Sequence, residues 1–246
     1  MRTLYQFPIS HYCEKTRWHL DHKGLDFQVD NLFPGLHRLK SKRLANIVTL
    51  PILKDGDKTI GDSTEIALYL EQRYPERPLL PADAAQRAEV LELEAHFDHM
   101  GVHVRRWLYG QIKQWDSVMH AMLKVYRPLL GLRDLMKPVL INGVQRLYGV
   151  TPPRVAKSQA ELLEGLALIE SRIHGDPSRY LVGEQLTLAD ISAAALFAPL
   201  FTPAGTPWEG IAGHDAKTQA FLDELHAHPA GQWVMRRYAE DRQRRS

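Results

Sequence analysis

Three prolines within seven residues, Pro75, Pro78 and Pro81, divide this 246-residue chain into two parts with different hydrophobic rhythms. Proline has a fixed φ and no N–H to donate, so neither a helix interior nor a central strand runs through such a segment. It reads as a rigid linker. Before it, strand and helix alternate. Thr3–Phe7 and Asp26–Asn31 read as strands, His11–Lys23 as a helix stopped by Gly24, and Gly35–Ala45 as an irregular basic helix or loop. Pro51–Lys54 and Lys58–Ile60 flank Asp55-Gly56, a hairpin signal. Ile66, Leu70 and Tyr74 recur every fourth residue through a helix over Ser63–Tyr74, which Pro75 ends. The order is βαβαββα: two parallel-type units, then a hairpin and a helix.

After the prolines the pattern is helical throughout. The spacing predicts helices over Ala85–Tyr109, over Trp115–Tyr148 with breaks or kinks at Pro128 and Pro138, and from Thr151-Pro152 to about His174. Leu188–Leu200, Lys217–His226 and Gly231–Arg242 follow. The expected class is α/β plus all-α: a small domain over residues 1–78, a linker over 79–85 and an all-helical domain over 86–246.

The formal net charge of +2 gives no global field for nucleic acid or a membrane surface. The basic cluster Arg236, Arg237, Arg242, Arg244 and Arg245 reads as the solvated end of a last helix, with cations near its negative pole. A single cysteine excludes an internal disulfide and fits a reducing compartment. The longest apolar stretch, Ile191 to Phe201, is too short for a bilayer and contains Pro199. A soluble cytoplasmic protein is expected, with no nucleic-acid or membrane partner.

Four short motifs carry chemistry. Ser10-His11-Tyr12-Cys13 lies where the first strand enters the first helix. A hydroxyl and a thiol there sit beside free backbone N–H groups and the positive helix pole, a place that favours an anion such as a thiolate. The position of Cys13 in such a motif usually faces inward, which makes a buried inert thiol the expected state. A lowered pKa at the helix N-terminus is the alternative. Tyr5 and Tyr12 carry further hydroxyls near this turn. Thr49-Leu50-Pro51 opens a strand; a cis bond before Pro51 would turn the Leu50 carbonyl and N–H outward toward an extended peptide. Gly61-Asp62-Ser63-Thr64-Glu65 reads as a helix cap whose N–H groups and hydroxyl suit a carboxylate, with the Asp62 side chain free for an ammonium. Thr187-Leu188-Ala189-Asp190 is a capping box with a structural role. His96, His99 and His103 share one helix face, where they line a cleft or an interface or bind a metal; no metal site is expected.

Ser10 to Lys15, Leu50-Pro51, Gly61 to Tyr74 and Leu181 to Asp190, in this order, resemble the cytosolic glutathione transferase superfamily over essentially the whole chain. The resemblance implies a thioredoxin-like domain followed by an all-helical one, glutathione as co-substrate, a homodimer, and conjugation of the glutathione thiolate to an apolar small-molecule electrophile. It implies catalytic Ser10, in the serine-type Ser-x-x-Cys arrangement, and glutathione binding by Leu50, Pro51, Asp62 and Ser63. Gln6 stands where tyrosine-type members carry their tyrosine. His37, Arg38 and Lys40 are the cations near the glycyl carboxylate. Trp107, Tyr109, Phe201 and Trp208 are candidate lining of the second pocket, and the stretch Gln111 to Arg154, longer than a compact helical domain of the family requires, would cover or reshape it. Two other readings are a thiol transferase or reductase working through Cys13 and a non-catalytic binding or regulatory protein on the same fold.

Overall fold

A computed structural model describes residues 1–123, 126, 131, 133–211 and 214–242. The first part contains β1 (Arg2–Gln6), α1 (His11–His22), β2 (Gln28–Asn31), α2 (His37–Ala45), β3 (Ile52–Asp55), β4 (Lys58–Gly61) and α3 (Ser63–Arg73). The strands form one sheet in the order β2-β1-β3-β4, with β1 parallel to β2 and antiparallel to β3, and β3 antiparallel to β4. This is the expected βαβαββα order, and the basic segment after Gly35 is a helix that ends on a left-handed Asn46.

The hairpin differs by one residue from its sequence signal. Asp55 pairs with Lys58, so the two loop residues are Gly56 and Asp57, with Gly56 at φ +59°. Glycine is favoured at the first central position of a tight hairpin because it has no Cβ to clash at positive φ. Asp55 stays in the ladder because its carboxylate is tied down: it accepts from Tyr69 and Tyr74 hydroxyls at 3.1 and 2.5 Å and pairs with Arg2 at 3.3 Å.

The second part is helical among the described residues: α4 (Ala84–Gln111), α5 (Asp116–Leu123), α6 (Arg133–Leu147), α7 (Pro152–Ile173), α8 (Leu188–Phe201), α9 (Ala216–Ala227) and α10 (Pro229–Glu240). The expected Trp115–Tyr148 segment is thus two helices. Pro128 lies outside the described residues, and α6 continues through Pro138. Every residue of α8 is buried, which explains its unbroken apolar run: it is the central post against which α1, α4 and α10 pack. Asp190 holds its start, accepting from the N–H groups of Leu181 and Thr187 and from the Thr187 hydroxyl at 2.6–2.8 Å. Burial pushes the Asp190 carboxyl up to about 6.

The two parts share one apolar core, in which Trp18 and Ala67 from the first part join α4, α7, α8 and α10. Charges cross the seam as well. Lys15, fully buried on α1, meets the Glu94 carboxylate and Asp98 (2.7 Å) on α4 and Thr64 Oγ1 (3.0 Å) on α3. The C-terminal arginines contradict their reading as solvated cations. Arg237 is buried, paired with Asp241 at 2.7 Å and seated over the Tyr180 ring. Arg242 is buried against α1, with Nε on Glu14 at 2.8 Å and Nη1 on Asp21 at 2.7 Å. Burial alone would push the Glu14 carboxyl up; Arg17 and Arg242 outweigh it and hold it below the ordinary carboxylate range. Only Arg236 of the described cluster keeps an exposed pairing, with Glu240; Arg244 and Arg245 lie outside the described residues.

Candidate functional site

A cavity of 830 Å³ opens at the C-terminal end of β1, between the turns of the first part and helices α4, α5 and α6. Ser10, Leu50, Pro51, Asp62 and Ser63 all line it. Residues from three separate turns therefore converge, as the sequence motifs require.

Ser10 is the N-cap of α1. Its N–H donates to Phe7 C=O at 3.2 Å, and its Oγ accepts from Cys13 N–H at 3.4 Å. A hydroxyl that accepts from the backbone keeps its own proton to donate. Cys13 is fully buried, and burial pushes its thiol up, so the neutral thiol is its resting state. Tyr12 does line the cavity, but its hydroxyl donates to Asp98 C=O at 2.8 Å, and burial pushes its pKa up. Tyr5 lies outside the cavity lining, beneath the Lys40 ammonium. Gln6 is buried and fastened to Asn31 and Arg17.

The Leu50-Pro51 bond is cis, and among the described residues neither the N–H nor the C=O of Leu50 meets a partner in the chain. Pro51 C=O accepts from Asp62 N–H at 3.3 Å, which joins this turn to the cap of α3. Asp62 accepts through one oxygen from Thr64 N–H (2.8 Å) and Glu65 N–H (3.3 Å), while the residue itself is exposed. Its φ of +74° is unusual for a residue with a Cβ and costs about 1–3 kcal/mol. Such a cost persists where the surrounding structure holds a functional geometry. Ser63 Oγ is buried in this wall without a hydrogen-bond partner. A buried hydroxyl in that state is short of one bond that a ligand oxygen can supply.

Of the three nearby cations, His37 is spent: Nδ1 accepts from Gly35 N–H (3.1 Å) and Nε2 donates to Val48 C=O (3.2 Å). Burial lowers its pKa, so it stays neutral. Lys40 pairs with Asp30 at 2.6 Å. Arg38 lines the cavity and, among the described residues, has no acidic partner.

The opposite wall is apolar. Tyr109 stacks on Trp115 and on Tyr148, with ring centroids 5.9 and 5.4 Å away. Ile112, Val118, Met122 and Leu140 extend that surface. The long stretch beyond Gln111 thus roofs the cavity. Trp208 lines it too, with Nε1 donating to Ile9 C=O at 3.1 Å. Trp107 and Phe201 are instead core residues, 2% and 1% exposed. Arg105 lies within this wall, and the sequence reading did not single it out. Its signal is helical phase: Glu94, Asp98, Gly101 and Arg105 fall within about 60° on α4. Gly101 on that stripe admits α1 closely, since a Cβ there would lie 2.8 Å from the Tyr12 hydroxyl. The three histidines of α4 do not converge. His96 packs on Phe97, His99 meets His103 edge-on, and His103 Nδ1 faces Ser158 Oγ at 3.2 Å. Among the described residues no group of histidine, cysteine or acidic side chains is placed to hold a metal ion. No helix among them is long and apolar enough to cross a membrane.

The geometry offers a polar groove with unpaired backbone and hydroxyl groups facing an apolar chamber, which suits a peptide-like thiol on one side and an apolar reactant on the other. Residues 4–78 match the family model "Glutathione S-transferase, N-terminal domain", and residues 152–230 match "Glutathione S-transferase, C-terminal domain". Glutathione S-transferase 3 of Zea mays is 30% identical over 237 residues, covering 93% of this chain and 90% of the maize protein. Among solved structures, a glutathione S-transferase from Rhodospirillum rubrum F11 superposes with a TM-score of 0.59 at 24% identity, covering 98% of this chain and 99% of that one. One from Methylobacillus flagellatus KT with glutathione bound gives 0.60 at 20% identity, covering 98% and 95%. The fold is therefore the thioredoxin-like sheet domain with an all-helical partner, and the chain belongs to the glutathione S-transferases, with glutathione as its co-substrate.

Proposed function

We propose that this chain is a serine-type glutathione transferase, in which Ser10 Oγ–H donates to the glutathione sulfur and the thiolate attacks an apolar electrophile held beneath α5 and α6. In this reading residues 1–78 bind glutathione, 79–85 link, and 86–246 supply the acceptor chamber. Leu50 pairs through its backbone with the cysteinyl part of the tripeptide. The γ-glutamyl carboxylate takes the Ser63 hydroxyl and the N–H groups at the start of α3, and its ammonium takes the exposed oxygen of Asp62. Arg38 receives the glycyl carboxylate.

A free cysteine thiol has a pKa near 8.5, and each unit of lowering requires about 1.4 kcal/mol of preference for the thiolate. A hydrogen bond to a charged acceptor contributes roughly 1.5–3 kcal/mol. Ser10 with the helix pole behind it therefore suffices for a shift of about one to two units. The thiolate forms a carbon–sulfur bond, the leaving group departs with its electron pair, and the thiol proton passes to solvent. The observation that carries this reading is the Ser10 hydroxyl itself, lining the cavity with its acceptor side already used by Cys13 N–H. Cys13, buried and neutral, does not favour a redox route.

Ser10→Ala is expected to lower kcat with a simple aryl halide roughly 10–100-fold, while glutathione affinity changes much less. Unchanged turnover would remove Ser10 from this role. The same reading carries a homodimer and a cytoplasmic location, and equilibrium sedimentation reads the first of these.

A further inference from the structure

Next to the main cavity, where α4 passes the corner between α6 and α7, lies a small polar recess of 160 Å³. Arg105 and Arg106 of α4, Arg146 of α6 and Arg154 of α7 line it, with Tyr148 and Gly149. Among the described residues no carboxylate lines the recess, and none of the four guanidiniums forms an ion pair. Arginine does not shed its proton, so four positive charges stand together without a counter-charge from the described residues.

The recess is built rather than incidental. Arg106 is held from behind: Nε donates to Tyr148 C=O at 2.9 Å and Nη1 to Ser158 Oγ at 3.1 Å. Arg105 lies with its Cζ 4.1 Å from the centre of the Tyr148 ring, and its buried Nε has no hydrogen-bond partner. Gly149, at φ +60°, brings the backbone against Arg154, where a Cβ would lie 2.4 Å from Nη1. Burial, then Arg154 and Arg105, lowers the Arg106 pKa; no acid is among the causes.

We infer that this recess binds an oxyanion (a phosphate, sulfate or carboxylate group) in the forked donors of Arg106, Arg146 and Arg154, with Arg105 completing the ring. A planar guanidinium fork matches such oxygens two at a time. Arg105, Leu147 and Tyr148 line both the recess and the main cavity. The oxyanion is therefore either a free ion or the acidic end of a compound whose apolar body lies in the chamber. The site itself does not depend on the proposed transferase chemistry; only the second source rests on it.

Titration of the full chain with inorganic phosphate in dilute chloride buffer, followed by calorimetry, tests the site. Saturable binding is expected, weakening as chloride is raised. Arg146→Gln with Arg154→Gln, both exposed positions, is expected to weaken it at least about tenfold. Absence of saturation, or equal affinity in the double variant, overturns the inference. Conjugation of glutathione to a neutral chlorodinitrobenzene and to a chloronitrobenzoate then separates the sources. If the acidic end of the reactant occupies the recess, the double variant raises KM for the benzoate about tenfold more than for the neutral halide, and phosphate competes with the benzoate alone. If a free ion is the ligand, the two KM values move together while phosphate affinity still falls. A chain that turns over neither halide counts against the transferase reading and leaves the phosphate titration as an independent result.

Discussion

Helix α4 carries two charge clusters about 14 Å apart along its axis, and they are built on opposite plans. At Glu94 and Asp98, the buried Lys15 ammonium is met by two carboxylates and a hydroxyl, and Ser192 Oγ donates to Glu94 at 3.2 Å. At Arg105 and Arg106, four guanidiniums gather without one acid among the described residues. The first cluster satisfies itself and clamps α1, α3, α4 and α8 together. The second leaves its charge to be met from outside. A buried charge with its partner inside the chain speaks for architecture, whereas half-buried and exposed like charges gathered without an acid are open to one from outside.

The largest test of that contrast is Glu94→Ala. It strips Lys15 of one of its two carboxylates in a fully buried setting and is expected to cost about 3 kcal/mol in urea unfolding, since breaking a buried pair strands a charge. A cost below about 0.5 kcal/mol would mean that Asp98 and Thr64 alone satisfy the ammonium.

His11 sits between the clusters and reports on both. Its Nε2 meets Gly101 C=O at 3.0 Å, and burial first, then Arg105 and Lys15, lower its pKa to about 3. The folded value lies below the unfolded value of about 6.5. The stability that neutral His11 contributes is therefore fully present above pH 6.5 and is lost as the pH falls through 6.5 toward 3. Buried His19 and half-buried His22 are shifted the same way. Asp190, raised to about 6, acts oppositely: its contribution is present at low pH and lost as pH rises through about 6. The histidines outnumber it, so the urea midpoint is expected to fall between pH 7 and pH 4.5, and less steeply in His11→Gln. An identical slope in that variant would show that His11 titrates normally.

The smallest effect is on the unmatched side. In chloride buffer at low salt, Arg146→Gln with Arg154→Gln is expected to raise thermal stability slightly, by a few tenths of a kcal/mol, because like charges are removed from an exposed site. High salt should erase the gain. A loss of stability at low salt would mean that these arginines hold the corner between α6 and α7 together.

Much of the polar wall of the cavity was legible because its signals are local. A cap, a proline before a strand and a turn each occupy three to five residues, so Ser10, Leu50, Pro51, Asp62 and Ser63 could be placed from neighbours in the chain. The apolar wall was not. Its roof was visible only as an unusually long helical stretch, and of four aromatics proposed as lining, Tyr109 and Trp208 line the cavity while Trp107 and Phe201 serve the core. Helical phase tells which residues share a face but not which neighbour covers that face. The C-terminal arginines show the same limit, since Arg242 meets Glu14 across 228 positions of sequence.

The amino-acid order by itself determined the alternation of strand and helix, the proline break, the capped helix starts and the groups presented at each turn, because these follow from backbone sterics and hydrogen bonding within a few residues. Only the tertiary structure decided that Lys15 would be neutralised while Arg105, Arg106, Arg146 and Arg154 would not. Coulombic partnership depends on distance in space, and a helix face acquires its environment only when another element packs against it.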